Sequence, residues 1–368
     1  LVNLPIDWLT LAIVGVLVTT GIVTIYTISF LGRGTELTWD QIGFAAIGLT
    51  VLLTLMFWDY RSLAGLAPVL MVIGLVLLLP LLPWWADSLP FVSKIFGAYR
   101  WLDFGLFQIQ PAEVFKLVMI IVGAKYISRF DQLTFRATLG YLALVVVPVG
   151  MIIAQPDLGT ASVVAVIGAG LFLAARPSAR VVLLLFAVLL IGSGLVLTNL
   201  QDYQRQRLET FFNPSADPQN AGYNVLQAKI AIGSGGLTGQ GFGQGSQTVL
   251  NFLPVAHTDF IFAGFAEATG FIGSMTLIGL YVMLIFRILR VASITNDRFG
   301  SLMAIGIGTK LFFQTFVHIG MNLGLLPVTG IPLPFVSHGG TALIVDLALI
   351  GILQSIYIRH WRIGWRTR

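Results

Sequence analysis

The sequence predicts an all-α polytopic membrane protein of about ten transmembrane helices in one domain spanning 1–368. Three observations predict it. Only 10% of the 368 residues are charged, 57% are hydrophobic, and the mean hydropathy is +0.90; a soluble domain carries about 25% charged residues. Seven runs reach 18 or more residues without Asp, Glu, Lys or Arg and without any major break such as a glycine- or proline-rich stretch. A single long stretch, 202–258, escapes this pattern and is predicted as a large extracytoplasmic loop between spans 7 and 8.

Taken in order, the first span is Trp8–Gly32. It is too long for a signal peptide and has no basic n-region, only Asp7 before it, so it is expected to remain uncleaved. Gln41–Trp58 and Ser62–Ala86 follow. The fourth, Pro111–Ala124, contains Glu113 and Lys116. Ala137–Pro156, Leu158–Ala175, Val181–Gln201 and Ala268–Phe286 are charge-free. Phe299–Asn322 contains Lys310 and Thr341–Ile358 contains Asp346, read as a structural pair between the last two spans. An even count places both termini on one side. Thirteen of the 21 Lys and Arg residues fall on that side, Arg287, Arg290, Arg359 and Arg362 among them. Basic residues collect in cytoplasmic loops, so both termini are expected to be cytoplasmic and the long segments 87–110, 202–258 and 323–340 to face outward. The net charge of +5 is thereby explained without nucleic acid. The absence of cysteine excludes disulfides, a cysteine nucleophile and thiolate metal sites.

The polar residues gather on the outward side. Within 202–258, Asn213-Pro214 and Asp217-Pro218 are turn formers, and Tyr223–Ile232 has a short helical pattern. Seven glycines in thirteen residues then fill Gly233–Gly245. Successive N–H groups in such a loop form an anion nest; a tightly folded loop is the equal alternative. Neither a dinucleotide fingerprint nor a P-loop is present. Next comes His257-Thr258-Asp259 at the mouth of a very apolar helix. Burial would tune that carboxylate toward general-base work; a helix-capping Asp is the alternative. Glu113 and Lys116 share a helix face, as an ion pair or facing a polar cavity. Tyr99–Asp103 resembles an interfacial amphipathic piece, with Trp101 in the aromatic belt. Pro327, Pro332 and Pro334 exclude a regular helix from Leu323–Gly340, which is expected to be a loop or a re-entrant piece.

Four blocks then resemble the SEDS family (shape, elongation, division and sporulation). They are Arg100-Trp101-Leu102 with Gln110-Pro111-Ala112-Glu113 and Lys116; Gln155–Thr160, which includes Asp157; Phe212 through Tyr223, Gln227 and Gly236 to Phe260; and Pro332–Ser337 with Gly339-Gly340. His338 stands where the family usually has Tyr, and Thr341 where it has Ser. The resemblance implies a peptidoglycan glycosyltransferase serving cell elongation and shape. It would polymerise lipid II into undecaprenyl-pyrophosphate-linked glycan at the outer face of the cytoplasmic membrane. Its implied partners are a class B penicillin-binding protein that crosslinks the strands and other elongation-complex membrane proteins. The Asp matching Asp259 is the family's essential residue. Converting an α-linked pyrophosphate into a β-1,4 linkage inverts the anomeric carbon, so one base on the acceptor hydroxyl is needed, and Asp259 takes that role. Expected substrate contacts are Arg100, Trp101, Glu113, Lys116, Asp157, Arg207, Gln227, Lys229, His257, Thr258, Glu267 and Ser337. Positive charge for the leaving pyrophosphate would come from Arg100, Lys116, Arg207, Lys229 or the glycine-loop N–H groups. A divalent cation, Mg or Mn, would share this work, although no ligand spacing demonstrates one. The rival readings are a lipid II flippase and a non-catalytic scaffold.

Overall fold

A computed structural model describes residues 5–30, 34–95, 98–105, 107–178, 181–183, 211, 221–250, 252–253 and 255–366. Its helices are α1 Trp8–Phe30, α2 Glu36–Phe57, α3 Tyr60–Leu78, α4 Pro111–Ser128, α5 Phe135–Ala154, α6 Leu158–Ala174, α7 Ala221–Ser234, α8 Ser246–Val249, α9 Ile261–Ile294, α10 Arg298–Asn322 and α11 Gly340–Arg366. Seven are long and apolar enough to cross a membrane. α4 coincides with the expected span Pro111–Ala124, with Glu113, Lys116 and Lys125 within it. α6, a shorter apolar helix, coincides with the expected span Leu158–Ala175; its 17 residues rise only about 26 Å. Apart from 181–183, the expected span Val181–Gln201 lies outside the described residues, as do Arg207 and both turn-forming Asn-Pro and Asp-Pro pairs.

Local chemistry sets the helix starts. Asp59, Thr134, Asp157 and Asp297 each accept a hydrogen bond from an N–H of the first turn they precede. Pro111 opens α4, where its missing N–H costs nothing. Two of the boundaries that differ from expectation have a clear local cause. α3 ends at Leu78, since Pro80 turns the chain into a short 3₁₀ piece rather than continuing to Ala86. α9 begins at Ile261, seven residues before the predicted Ala268, because Glu267 interrupts the charge-free run but is buried inside the protein.

The piece read as interfacial and amphipathic is instead extended. β1 Val92–Ile95, β2 Ala98–Asp103 and β3 Gln108–Ile109 form an antiparallel sheet in that order, with Leu102 facing Val92 on one side and Ile109 on the other. The turn after β2 is fixed by Gly105, which has φ +79° and donates its N–H to Asp103 Oδ1.

α4, α10 and α11 lie innermost, and α2, α3 and α9 pack around them. The two buried lysine–carboxylate pairs, Glu113–Lys116 and Lys310–Asp346, are confined to the inner three. At the end carrying the start of α1 and the end of α11, Asp7 pairs with Arg287 at 2.7 Å and exchanges hydrogen bonds with Gln354. Arg359 pairs there with Asp59. The opposite end holds the sheet, α7, α8 and the segment 323–340. That segment is re-entrant as expected: Leu333, Phe335 and Val336 are fully buried, and Val336 lies against Gly21. Gly21 is nine residues below the end of α1, roughly 13 Å into the bundle.

Candidate active site

Asp259 stands two residues before α9, whose N-cap position is occupied by Phe260. Its residue is half-buried, as are His257 and Thr258. Three successive main-chain carbonyls are gripped here. His257 O accepts the His338 N–H at 2.9 Å. Thr258 O accepts the Ser337 hydroxyl at 2.8 Å, and Asp259 O accepts the Asn322 amide at 3.0 Å. Ser337 Oγ in turn accepts the Leu333 N–H, so this buried hydroxyl is engaged by protein on both sides. The structure therefore gives Ser337 a turn-holding role rather than the expected substrate contact. Left-handed backbone at Val255 (φ 52°) and Phe335 (φ 67°) marks both partners of the grip as held against their preference. The His257 and His338 rings meet edge to face at 5.8 Å. Burial pushes the His338 imidazole below its ordinary 6.5, and the Asp40 carboxylate opposes that shift.

The stretch 324–331 gathers the remaining polar groups. Lys229, exposed on α7, lies across Gly324, where a Cβ would meet its Cε at 2.1 Å. Asp259 Oδ2 is 3.9 Å from the place a Cβ would take on Gly330, and Gly159 packs against Thr329 O. Asp157, beside Gly159, caps α6 and accepts from Gln110 Nε2 at 3.1 Å. Arg100 reaches from β2 to Pro156 O and approaches Asp157 at 4.0 Å, with a quarter of its side chain exposed. The 324–331 loop thus lies against both Asp259 and Lys229, and Arg100 reaches it indirectly, through the turn Pro156–Gly159. Gln227 lies half-buried on α7 and Trp101 half-buried on β2.

Two expected contacts are consumed by the scaffold. Glu267 is fully buried, and its two oxygens accept the N–H groups of Gln247 and Thr248 at 2.8 and 3.1 Å. They hold the N-terminus of α8, a favourable place for a carboxylate. The glycine loop is no anion nest. Gly235, Gly236, Gly239, Gln240, Gly241 and Gln244 all donate their N–H groups to protein carbonyls. α9 is broken at Gly270 (φ 66°, ψ −162°), and the loop repairs the break. Gln240 and Gly241 donate to the carbonyls of Glu267 and Ala268, at the end of the outer piece. The N–H groups of Phe271 and Ile272, which open the inner piece, donate to Gly236 and Leu237. Both sets would be orphaned at a helix end.

Glu113 and Lys116 form a 2.5 Å ion pair inside the bundle, both essentially unexposed. Lys116 is therefore not placed to meet a pyrophosphate at the surface. Lys310 and Asp346 pair as expected, and Lys310 senses the charges of Lys116 and Glu113, so the pairs share one buried neighbourhood. Among the described residues, no three His, Asp or Glu side chains converge into a metal-binding group. Asn322, absent from the sequence expectations, is the polar side chain that reasoning missed.

The model of the FtsW/RodA/SpoVE family of cell cycle proteins matches residues 2–360. The chain belongs to this family. The peptidoglycan glycosyltransferase MrdB of Escherichia coli K12 is 41% identical over 321 residues, covering 86% of this chain and 84% of that protein. A chain from a peptidoglycan synthase complex, solved for its coordination of polymerization and crosslinking, superposes with a TM-score of 0.83 at 30% identity, over 98% of this chain and 99% of that one. The rod shape determining protein RodA of Thermus thermophilus superposes with a TM-score of 0.72 at 28% identity, over 96% and 98%. This FtsW/RodA/SpoVE member is accordingly a multi-pass membrane protein, and the resemblance to SEDS proteins seen in its four motif blocks is confirmed along nearly its whole length.

Proposed function

We propose that the chain is a peptidoglycan glycosyltransferase that polymerises lipid II at the outer face of the cytoplasmic membrane, with Asp259 as the general base. The carrying observation is the Asp259 turn itself. Its main chain is fixed at three consecutive carbonyls while the residue remains partly accessible. Fixing a base relative to a bound acceptor supplies the orientation a bimolecular transfer lacks. The acceptor 4-hydroxyl loses its proton to Asp259 as its oxygen attacks the anomeric carbon of the donor. The C–O bond to pyrophosphate breaks, and the anomeric configuration inverts. Arg100 and Lys229 are the described cations suited to the developing negative charge. The names of the relatives support the reaction class.

The polyprenyl tail needs an apolar seat open to the bilayer. A groove of about 510 Å³ runs along Ala12, Gly15, Val16 and Thr19 of α1 and ends at Phe242 and Phe265, the latter in the outer piece of α9. Orientation follows from charge: the basic end with Arg287 and Arg359 faces the cytoplasm, which turns Asp259 outward. A class B penicillin-binding protein is the expected crosslinking partner, in keeping with the synthase complex whose chain superposes.

The test is polymerisation of lipid II by the purified full chain. Asp259→Asn is expected to keep its thermal unfolding midpoint and lose about 10²–10⁴-fold in rate. Near-normal polymer yield from that variant sinks the general-base assignment. Lipid II translocation across vesicles without any polymer from the natural chain would favour a flippase instead.

A further inference from the structure

We infer that Asn322 is the positioning residue for Asp259. The inference rests on Asp259 being the base. Asn322 ends α10 and is completely buried. Its Nδ2 donates to Asp259 O at 3.0 Å and to His318 O at 2.8 Å, and its Oδ1 accepts the Ala263 N–H at 3.2 Å. All three polar valences of the amide used here have defined partners, so its rotamer is fixed. One partner precedes α9 and the other lies in its first turn, so a single side chain spans the junction that carries Asp259. The bond to His318 O ties the same amide to its own helix, and His318 Nδ1 meets Ile331 O at 2.8 Å. The ladder α10–Asn322–Asp259 and the ladder α10–His318–Ile331 therefore set the two walls of the site, the base turn and the 324–331 loop, from one rigid helix.

The other two carbonyl grips on this turn act differently. Ser337 and the His338 N–H reach the turn from the re-entrant loop, and each holds one carbonyl ahead of Asp259. Asn322 holds the carbonyl of Asp259 itself and the helix beyond. Its chemistry is specific. A leucine of similar size keeps the packing but offers neither donor nor acceptor. An aspartate keeps the acceptor for Ala263 and recovers a donor for Asp259 O only when its carboxyl is protonated.

The experiment compares natural chain, Asn322→Leu, Asn322→Asp and Asp259→Asn in lipid II polymerisation, with thermal unfolding of each purified chain. For Asn322→Leu the expected result is a folded protein whose kcat falls about 100-fold, since small misplacements of a base have that scale, with KM for lipid II nearly unchanged. The activity ratio of Asn322→Asp to Asn322→Leu is expected to rise as pH is lowered, which cancels the titration of Asp259 common to both. Near-natural kcat in the folded Leu variant overturns the inference. So does a loss confined to KM, a pH-independent ratio, or failure of both variants to fold, which would make Asn322 a fold support only. Full activity in Asp259→Asn would instead overturn the general-base reading and leave the positioning geometry without a base to position.

Discussion

Asp259 and Glu267 are carboxylates eight residues apart at the start of the same helix, and the protein treats them oppositely. Glu267 is held by its side-chain oxygens: two N–H groups of the short helix α8 occupy them, and the residue is sealed from solvent. Asp259 is held by its main-chain carbonyl and stays partly accessible. A carboxylate gripped through its oxygens has become scaffold. A residue gripped at its backbone carbonyl has its main chain fixed by the scaffold. The interior ion pairs extend the first category, for Glu113 binds Lys116 and Asp346 binds Lys310 through their charged atoms.

Three perturbations test that division. The largest effect is expected from Lys116→Met, which strands Glu113 inside the bundle and should cost about 3–5 kcal/mol, while the double variant with Glu113→Gln recovers much of it. Thermal unfolding of the purified chains measures this; a stable Lys116→Met protein with lost polymerisation would move Lys116 from scaffold to site. Glu267→Ala comes next, at about 2–4 kcal/mol for two charge-assisted bonds left unmade. Gly245→Ala should mimic it in kind, because the added methyl would lie 2.4 Å from Glu267 Cδ. Inactive but fully stable Glu267→Ala would break the contrast with Asp259. The smallest effect concerns His338. Its folded-state value is depressed by burial, so the unfolded chain takes up a proton first as pH falls through 6.5. Stability should therefore decline on acidification below that point and level off under the depressed value. His338→Gln should flatten this dependence, as read from unfolding midpoints across pH.

Much of this was legible in the sequence, and the limits have physical causes. Nine of the ten expected spans occur among the described residues because charge-free length is a direct consequence of bilayer thickness. The Lys310–Asp346 pair was legible because unpaired charges in that setting are too costly. That Leu323–Gly340 is no regular helix was legible from its prolines, which left a loop and a re-entrant piece equally open. The small sheet was missed: Tyr99–Asp103 is short, and extended pairing depends on partners at Val92 and Ile109 that no local pattern names. The glycine loop was ambiguous because a run of N–H groups looks the same whether it awaits an anion or closes on Ala268 O. Asn322 carried no signal, as one amide at a helix end is ordinary until its three partners are in place.

The break at Gly270 has a mechanical meaning. Residues 261–269 are not the top of a continuous rod. Their hydrogen-bond ladder stops there, and the polar loop between α7 and α8 binds the ends on both sides of the gap. The turn bearing Asp259 thus belongs with the sheet, α7 and α8 at one end of the molecule. Tilting or flexing of the long segment below therefore has no unbroken α9 ladder by which to reach it. The tie between the carboxylate's turn and the bundle runs sideways instead, through the Asn322 amide of α10.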